Sequence, residues 1–262
     1  MLRFSAVGVS DVGLVRATNQ DSAVATSGLL VVADGVGGAA AGEVASARAA
    51  SAVLETAQRT RGPLPVVVLR QAVESAQKAV ALAITEDPAR TGMATTLTAV
   101  LTNGTDAALA HLGDSRAYVW RDDELIQLTR DHTWTARAVD RGTISEDQVQ
   151  AHPWRNVILR SVNGDETTNA DVLPLALRVG DRLLIASDGL TDLVGAAWLE
   201  RLFAEHDDEA LAQALLAAAL GEGGRDNITL IVATVVPESA PEPPFLQVFG
   251  AVAGAAMSQS RA

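Results

Sequence analysis

Hydrophobic and polar positions change their period several times along the chain, and each change marks an element. Residues 3–9 alternate loosely, as a half-buried strand does, and a turn-rich polar loop, VGLVRATNQD, follows. SAVATSGLLVVAD then reads as two strands turning at Ser27-Gly28. Residues 41–60 and 64–86 are Ala-rich with Val, Leu and Ile at helical spacing, split by Gly62-Pro63 and Pro65, and predict two helices laid on one sheet. From Ala94 the chain turns β-rich, with turn signals at Asn103-Gly104, Gly113-Asp114 and Asp122-Asp123, the pattern of an antiparallel meander. A polar stretch over 131–156 interrupts it; SEDQ within it is a Ser-x-x-Gln capping box, so an inserted flap with a short helix is expected there. Strands are predicted at 171–177, 182–187 and 227–236, with helices at 190–203 and 207–220.

Helices bunched between hairpins, rather than alternating with single strands, predict an α+β layered domain over residues 1–236 and not a doubly wound parallel sheet. Beyond it, residues 237–262 begin with a Pro-rich linker, PESAPEPP. Phe245, Phe249, Val252 and Ala256 then fall on one helical face, which predicts either a short helix docking on a groove or a partner, or a disordered end with chance periodicity. The thirteen-residue run FLQVFGAVAGAAM is too short to span a bilayer, which takes about 20 residues.

Two apolar runs are nearly alike: LLVVADG at 29–35 and LLIASDG at 183–189. Continuous apolar runs of this length suit strands buried on both faces. Each leads into a carboxylate followed by glycine, and Asp226, in GGRDNIT, stands immediately before the last predicted strand. Since the end of one antiparallel strand lies beside the start of its neighbour, Asp34, Asp188 and Asp226 are expected to converge at one edge. Asp21, in RATNQDS, and Asp114, in HLGDSRAY, are placed to reach the same rim. Acids so gathered repel one another and raise each other's pKa unless a cation neutralises them. With neither His nor Cys in these motifs, the oxygen-only set selects Mg²⁺ or Mn²⁺ over Zn²⁺.

Composition narrows the chemistry further. The net charge of −12 repels nucleic acid and acidic membrane surfaces and favours cations or basic partners. Lys78, the single lysine, lies in a helical pattern, so a lysine-dependent P-loop or kinase is excluded. Zero cysteines exclude thiolate chemistry and fit a reducing compartment; with no signal-peptide pattern in MLRFSAVGVSDVG, the expected location is the cytoplasm.

RATNQD, ADGVGG, MATTLTA, HLGDSRAY, LTRDHT, RNVILRSVNG, ASDGLTDLV and GGRDNIT, in that order over residues 5–236, resemble the motifs of the metal-dependent protein phosphatases, the PPM or type 2C family. The resemblance implies a four-layer α-β-β-α sandwich of two antiparallel sheets. It also implies a binuclear Mn²⁺ or Mg²⁺ centre with a weaker third site, and hydrolysis of phosphoserine or phosphothreonine in proteins, the substrates of a serine/threonine kinase. By the same resemblance Asp34 bridges two ions, the Gly35 carbonyl binds one, and Asp188 and Asp226 bind the other. Arg16 matches the phosphate-binding arginine, Asp21 holds the centre through water, Asp114 belongs to the third site, and Asn227 orients its neighbours. Two positions depart from the family: Val36 stands where many members carry a histidine, and Gln20 where some carry an acid. The competing reading on the same fold, a non-catalytic regulator, would be expected to have lost the metal acids.

The remaining polar residues are expected in structural roles: His111 in the core, His152 in a loop, Arg116 and Arg160 in ion pairs, Trp134 and Trp154 packing the flap. His132 is the candidate to protonate the leaving oxygen in place of the side chain that Val36 lacks.

Overall fold

The computed structural model describes residues 1–36, 41–60, 62–240 and 245–254. Its first half runs β1 (Leu2–Asp11), β2 (Ser22–Thr26), β3 (Leu29–Ala33), β4 (Gly35–Val36), α1 (Gly42–Arg59), α2 (Pro65–Glu86), β5 (Ala94–Thr95), β6 (Leu97–Thr102), β7 (Ala107–Leu112), β8 (Arg116–Arg121) and β9 (Glu124–Gln127). The second half runs α3 (Trp134–Asp140), β10 (Asp171–Leu175), β11 (Arg182–Ala186), α4 (Asp188–Thr191), α5 (Ala196–Glu205), α6 (Asp208–Gly221), β12 (Ile228–Pro237) and β13 (Leu246–Gly250).

Two antiparallel sheets form, one in the order β1-β12-β11-β8-β9 and the other β10-β7-β6-β3-β2-β13. Three hydrophobic clusters make them the inner layers of a four-layer sandwich. Between the sheets lie Leu30, Val32, Leu183 and Ile185; under α1 and α2 lie Val31 and Leu97; under α4, α5 and α6 lie Leu184, Leu190 and Leu230. This explains the apolar runs. Leu30 and Val32 of β3 face the opposite sheet while Leu29 and Val31 face the helices, and β11 divides its side chains in the same way. Neither strand has a solvent face on which to place a polar residue.

The antiparallel hairpins and the first two helices stand where their patterns predict them. The segment expected as one helix over 190–203 is two: α4 closes at Thr191 and α5 starts after Gly195. Ser145 and Gln148 do form the capping box, though on a 3₁₀ turn, and the polar flap also contains α3, capped by the Thr133 hydroxyl. The tail corrects the expectation of a helix. Leu246–Gly250 is a strand on the edge of β2, with Phe249 opposite Ala23, and only 251–254 make a helical turn; Ala256 lies outside the described residues. The open edge of β2 offers backbone partners that an isolated short helix lacks.

Candidate metal centre

Asp188 opens α4 directly after β11, and Asp226 stands two residues before β12, the antiparallel neighbour of β11. Asp34 follows β3, which belongs to the other sheet. The acids thus meet at one end of the sandwich, from both sheets, rather than along the edge of one. Local hydrogen bonds fix Asp34: its backbone N–H donates to Thr96 Oγ1 at 2.9 Å, and its carbonyl accepts from Thr96 N and Thr95 Oγ1, each at 2.8 Å. The glycines after the acids serve close approach. A Cβ at Gly35 would collide with the Gly42 carbonyl, and one at Gly189 with that of Asn227.

Electrostatics follow from this packing. Burial, then the charges of Asp21, Asp188, Asp114 and Asp226, hold the Asp34 carboxyl well above the usual carboxylate range. Asp188 is raised likewise, by burial and then by Asp114 and Asp192. Burial pushes Asp21 up to about 6 and Asp114 to about 7. Asp21 Oδ2 accepts from the Ser187 hydroxyl at 2.9 Å, yet Asp21 Oδ1 and Asp114 Oδ1 are buried without a partner. A native interior rarely leaves such atoms unpaired. Hard oxygen donors, mutual repulsion and orphaned lone pairs together fit divalent cations. Among the described residues no group of three or more His, Cys, Asp or Glu side chains stands in an arrangement that would itself hold a metal ion.

Of the residues singled out in the sequence, Asp21, Asp34, Asp114, Asp188 and Asp226 share this cluster. Arg16 joins it through an ion pair, Nη2 to Asp226 Oδ2 at 2.6 Å, with the guanidinium half exposed. Asn227 works on the loop before β2 rather than on the acids: Oδ1 accepts from Gln20 N, and Nδ2 donates to the carbonyls of Val12 and Thr18. Gln20 donates to Glu43 at 2.9 Å. Sequence reasoning missed Asp192, whose carboxyl burial raises and which lines a cleft of about 40 Å³ with Asp114, Asp188 and the flap residues Arg155 and Asn156. It also missed Ser187, the hydroxyl that aims Asp21. The only available signal was the repeated acid in DGLTD.

Beside the cluster, the histidines behave differently. His132 accepts from Gly113 N at Nδ1 and donates from Nε2 to Asp171 Oδ2 at 3.0 Å, and burial lowers its pKa. Both ring nitrogens are thus engaged within the chain, and Arg160 Nη1 also lies 2.9 Å from Nε2. His111 is buried as expected, and Arg116 pairs with Asp131 at 2.7 Å and Arg160 with Asp171 at 2.8 Å. Trp134 stacks on His152 and meets Trp154 edge-on, both at 4.7 Å between centroids, which anchors the flap.

The family model described as Protein phosphatase 2C matches residues 15–221. The chain belongs to the protein phosphatase 2C family. It is 41% identical over 236 residues to the serine/threonine protein phosphatase PstP of Mycobacterium tuberculosis, a match that takes in 90% of this chain and 45% of PstP. It thus spans about half the length of that relative. The protein phosphatase PhpP of Streptococcus pneumoniae is 32% identical, with 88% of this chain and 98% of PhpP matched. Among solved structures, the catalytic domain of PstP in complex with two manganese ions superposes with a TM-score of 0.83 at 38% identity, covering 90% of this chain and all of that one.

Proposed function

We propose that this chain is a metal-dependent protein serine/threonine phosphatase, hydrolysing phosphoserine and phosphothreonine at a binuclear Mn²⁺ or Mg²⁺ centre. The observation that carries the reading is the gathering of Asp21, Asp34, Asp114, Asp188 and Asp226 with two orphaned buried oxygens. The manganese-bound PstP domain supports the choice of ion. Asp34, the Gly35 carbonyl, Asp188 and Asp226 would hold two ions, with Asp114 at a weaker third site and Asp21 behind them. Bound there, the ions supply an activated water and positive charge opposite the phosphoryl oxygens.

The chain's own residues do the rest. Ser187 aims Asp21, Thr95 and Thr96 hold the turn that presents Asp34, and Asn227 secures the loop that carries Arg16. Arg16 already stands over the cluster on Asp226, and its remaining donors can fork onto a substrate phosphate. Val36 has no proton to give the leaving serine oxygen, and the nitrogens of His132 already serve Gly113 and Asp171. Residues 1–236 would form the catalytic domain and 237–262 the linker and tail. Phosphoproteins marked by a serine/threonine kinase would be the substrates, in a signalling role in the cytoplasm, a location the cysteine-free composition supports.

The test is release of phosphate from a phosphothreonine peptide by the purified chain. Activity should vanish with chelator and return with Mn²⁺; turnover that survives exhaustive chelation would refute the metal-centred reading.

A further inference from the structure

The buried Asp21 is gripped from two sides. In front, Ser187 holds its carboxylate. Behind, the tail holds its backbone: Ala251 N donates to the Asp21 carbonyl at 2.7 Å. One residue on, Val252 N donates to Ser22 Oγ at 3.1 Å. Ser22 in turn meets Ser46 Oγ at 2.9 Å, and Ser46 donates to the Gln20 carbonyl at 2.5 Å. The approach is close enough to dictate residue type. Gly250 takes a φ of +68°, and a Cβ there would collide with the Asp21 carbonyl.

The tail is itself anchored in two cores. Phe245 and Phe249 pack into the cluster between the sheets, where a side chain at Gly8 would collide with the Phe249 ring. Val248 and Val252 pack into the cluster beneath α1 and α2. The tail residues lie beyond the stretch matched by the family model, which ends at residue 221.

We propose that β13 and the turn after it are a positioning device for the metal centre: by clamping the backbone at Asp21 and Ser22 they keep the Asp21 carboxylate aimed into the acid cluster. Without the strand, β2 would be an edge with unpaired backbone groups, and the Asp21 carbonyl would lose its Ala251 donor. Groups that orient a metal site from outside its ligands typically contribute 10–100-fold in affinity. The inference rests on the metal-centre reading above.

The experiment uses the full chain and Mn²⁺ as the probe, with free Mn²⁺ followed by electron paramagnetic resonance and hydrogen exchange followed on the metal-free protein. Gly250→Val should weaken Mn²⁺ binding by about 10–100-fold and speed exchange over β2. Phe249→Ala, which frees the strand without adding bulk, should act in the same direction and serves if Gly250→Val does not fold. Leu199→Ala, on the buried face of α5 in the one cluster that takes no tail residue, should lower thermal stability while leaving Mn²⁺ affinity within about twofold, as independent sites do. Wild-type affinity in a folded tail variant, or an equal loss in Leu199→Ala, would overturn the proposal. Failure of the wild-type chain to bind Mn²⁺ at all would instead overturn the metal centre, and this proposal with it.

Discussion

The acid cluster and the histidine network beside it are both buried and polar, yet they are built in opposite ways. In the network, His111 Nδ1 meets the Thr98 hydroxyl at 2.9 Å, its Nε2 reaches the Arg130 carbonyl at 3.1 Å, and His132, Asp171 and Arg160 close on one another. Each ring nitrogen finds its partner inside the chain. In the cluster, carboxylates face carboxylates and two buried oxygens find nothing. A satisfied network rigidifies a core, whereas an unsatisfied one stores a demand for something from outside. The comparison teaches that burial of a titratable group does not mark function by itself; what its hydrogen bonds leave over does.

The strongest way to break the contrast is to neutralise one acid. Asp34→Asn should lower phosphatase turnover by about 10³-fold, the scale on which one preorganised charge partner is felt, and should lower it more than Asp114→Asn. The metal-free protein should meanwhile become more stable to heat, because a repelling charge is gone. Turnover and calorimetry on the two variants decide this, and equal losses of turnover would remove Asp34 from its central place.

The second test addresses the satisfied side. Burial, then the neighbouring His132, pushes His111 down to about 4 from 6.5. The unfolded chain therefore takes up this proton first, and the stability that His111 contributes is whole above about pH 6.5 and drains as pH falls towards 4. The full effect is on the order of 3 kcal/mol. The raised carboxyls of Asp21 and Asp114 tilt the total the other way, so the effect is read in urea unfolding between about pH 4.5 and 7.5 as the difference between the chain and His111→Gln, which should change with pH; a difference constant with pH would remove His111 from the acid sensitivity.

The mildest test concerns Arg16, the guanidinium paired with Asp226. Arg16→Lys keeps the charge but loses the fork, so kcat/KM for a phosphopeptide should fall about 10-fold. Unchanged kinetics would show that Arg16 serves Asp226 alone.

Much of this was legible because the chemistry sits where strand patterns end. LLVVADG and LLIASDG announced both doubly buried strands and the acids that close them. What escaped was what depends on tertiary neighbours. Ser187 reads as a strand residue until Asp21 arrives beside it, and Asp192 shows its proximity to Asp114 only once α4 turns. Helix α3, seven residues long, was hidden in the polar flap. The tail was misread because Phe245, Phe249 and Val252 satisfy helical spacing, while the competing pull, the vacant edge of β2, lies more than 200 residues away in sequence.

That Asp34 comes from one sheet while Asp188 and Asp226 come from the other gives the site a mechanical meaning as well. Apolar packing between the sheets resists separation everywhere along the seam but allows a little sliding, being non-directional. Ions shared across the seam would act as rivets at one end of it. Shear between the two leaves would then be resisted most at the acid cluster, and least at the opposite end of the sandwich.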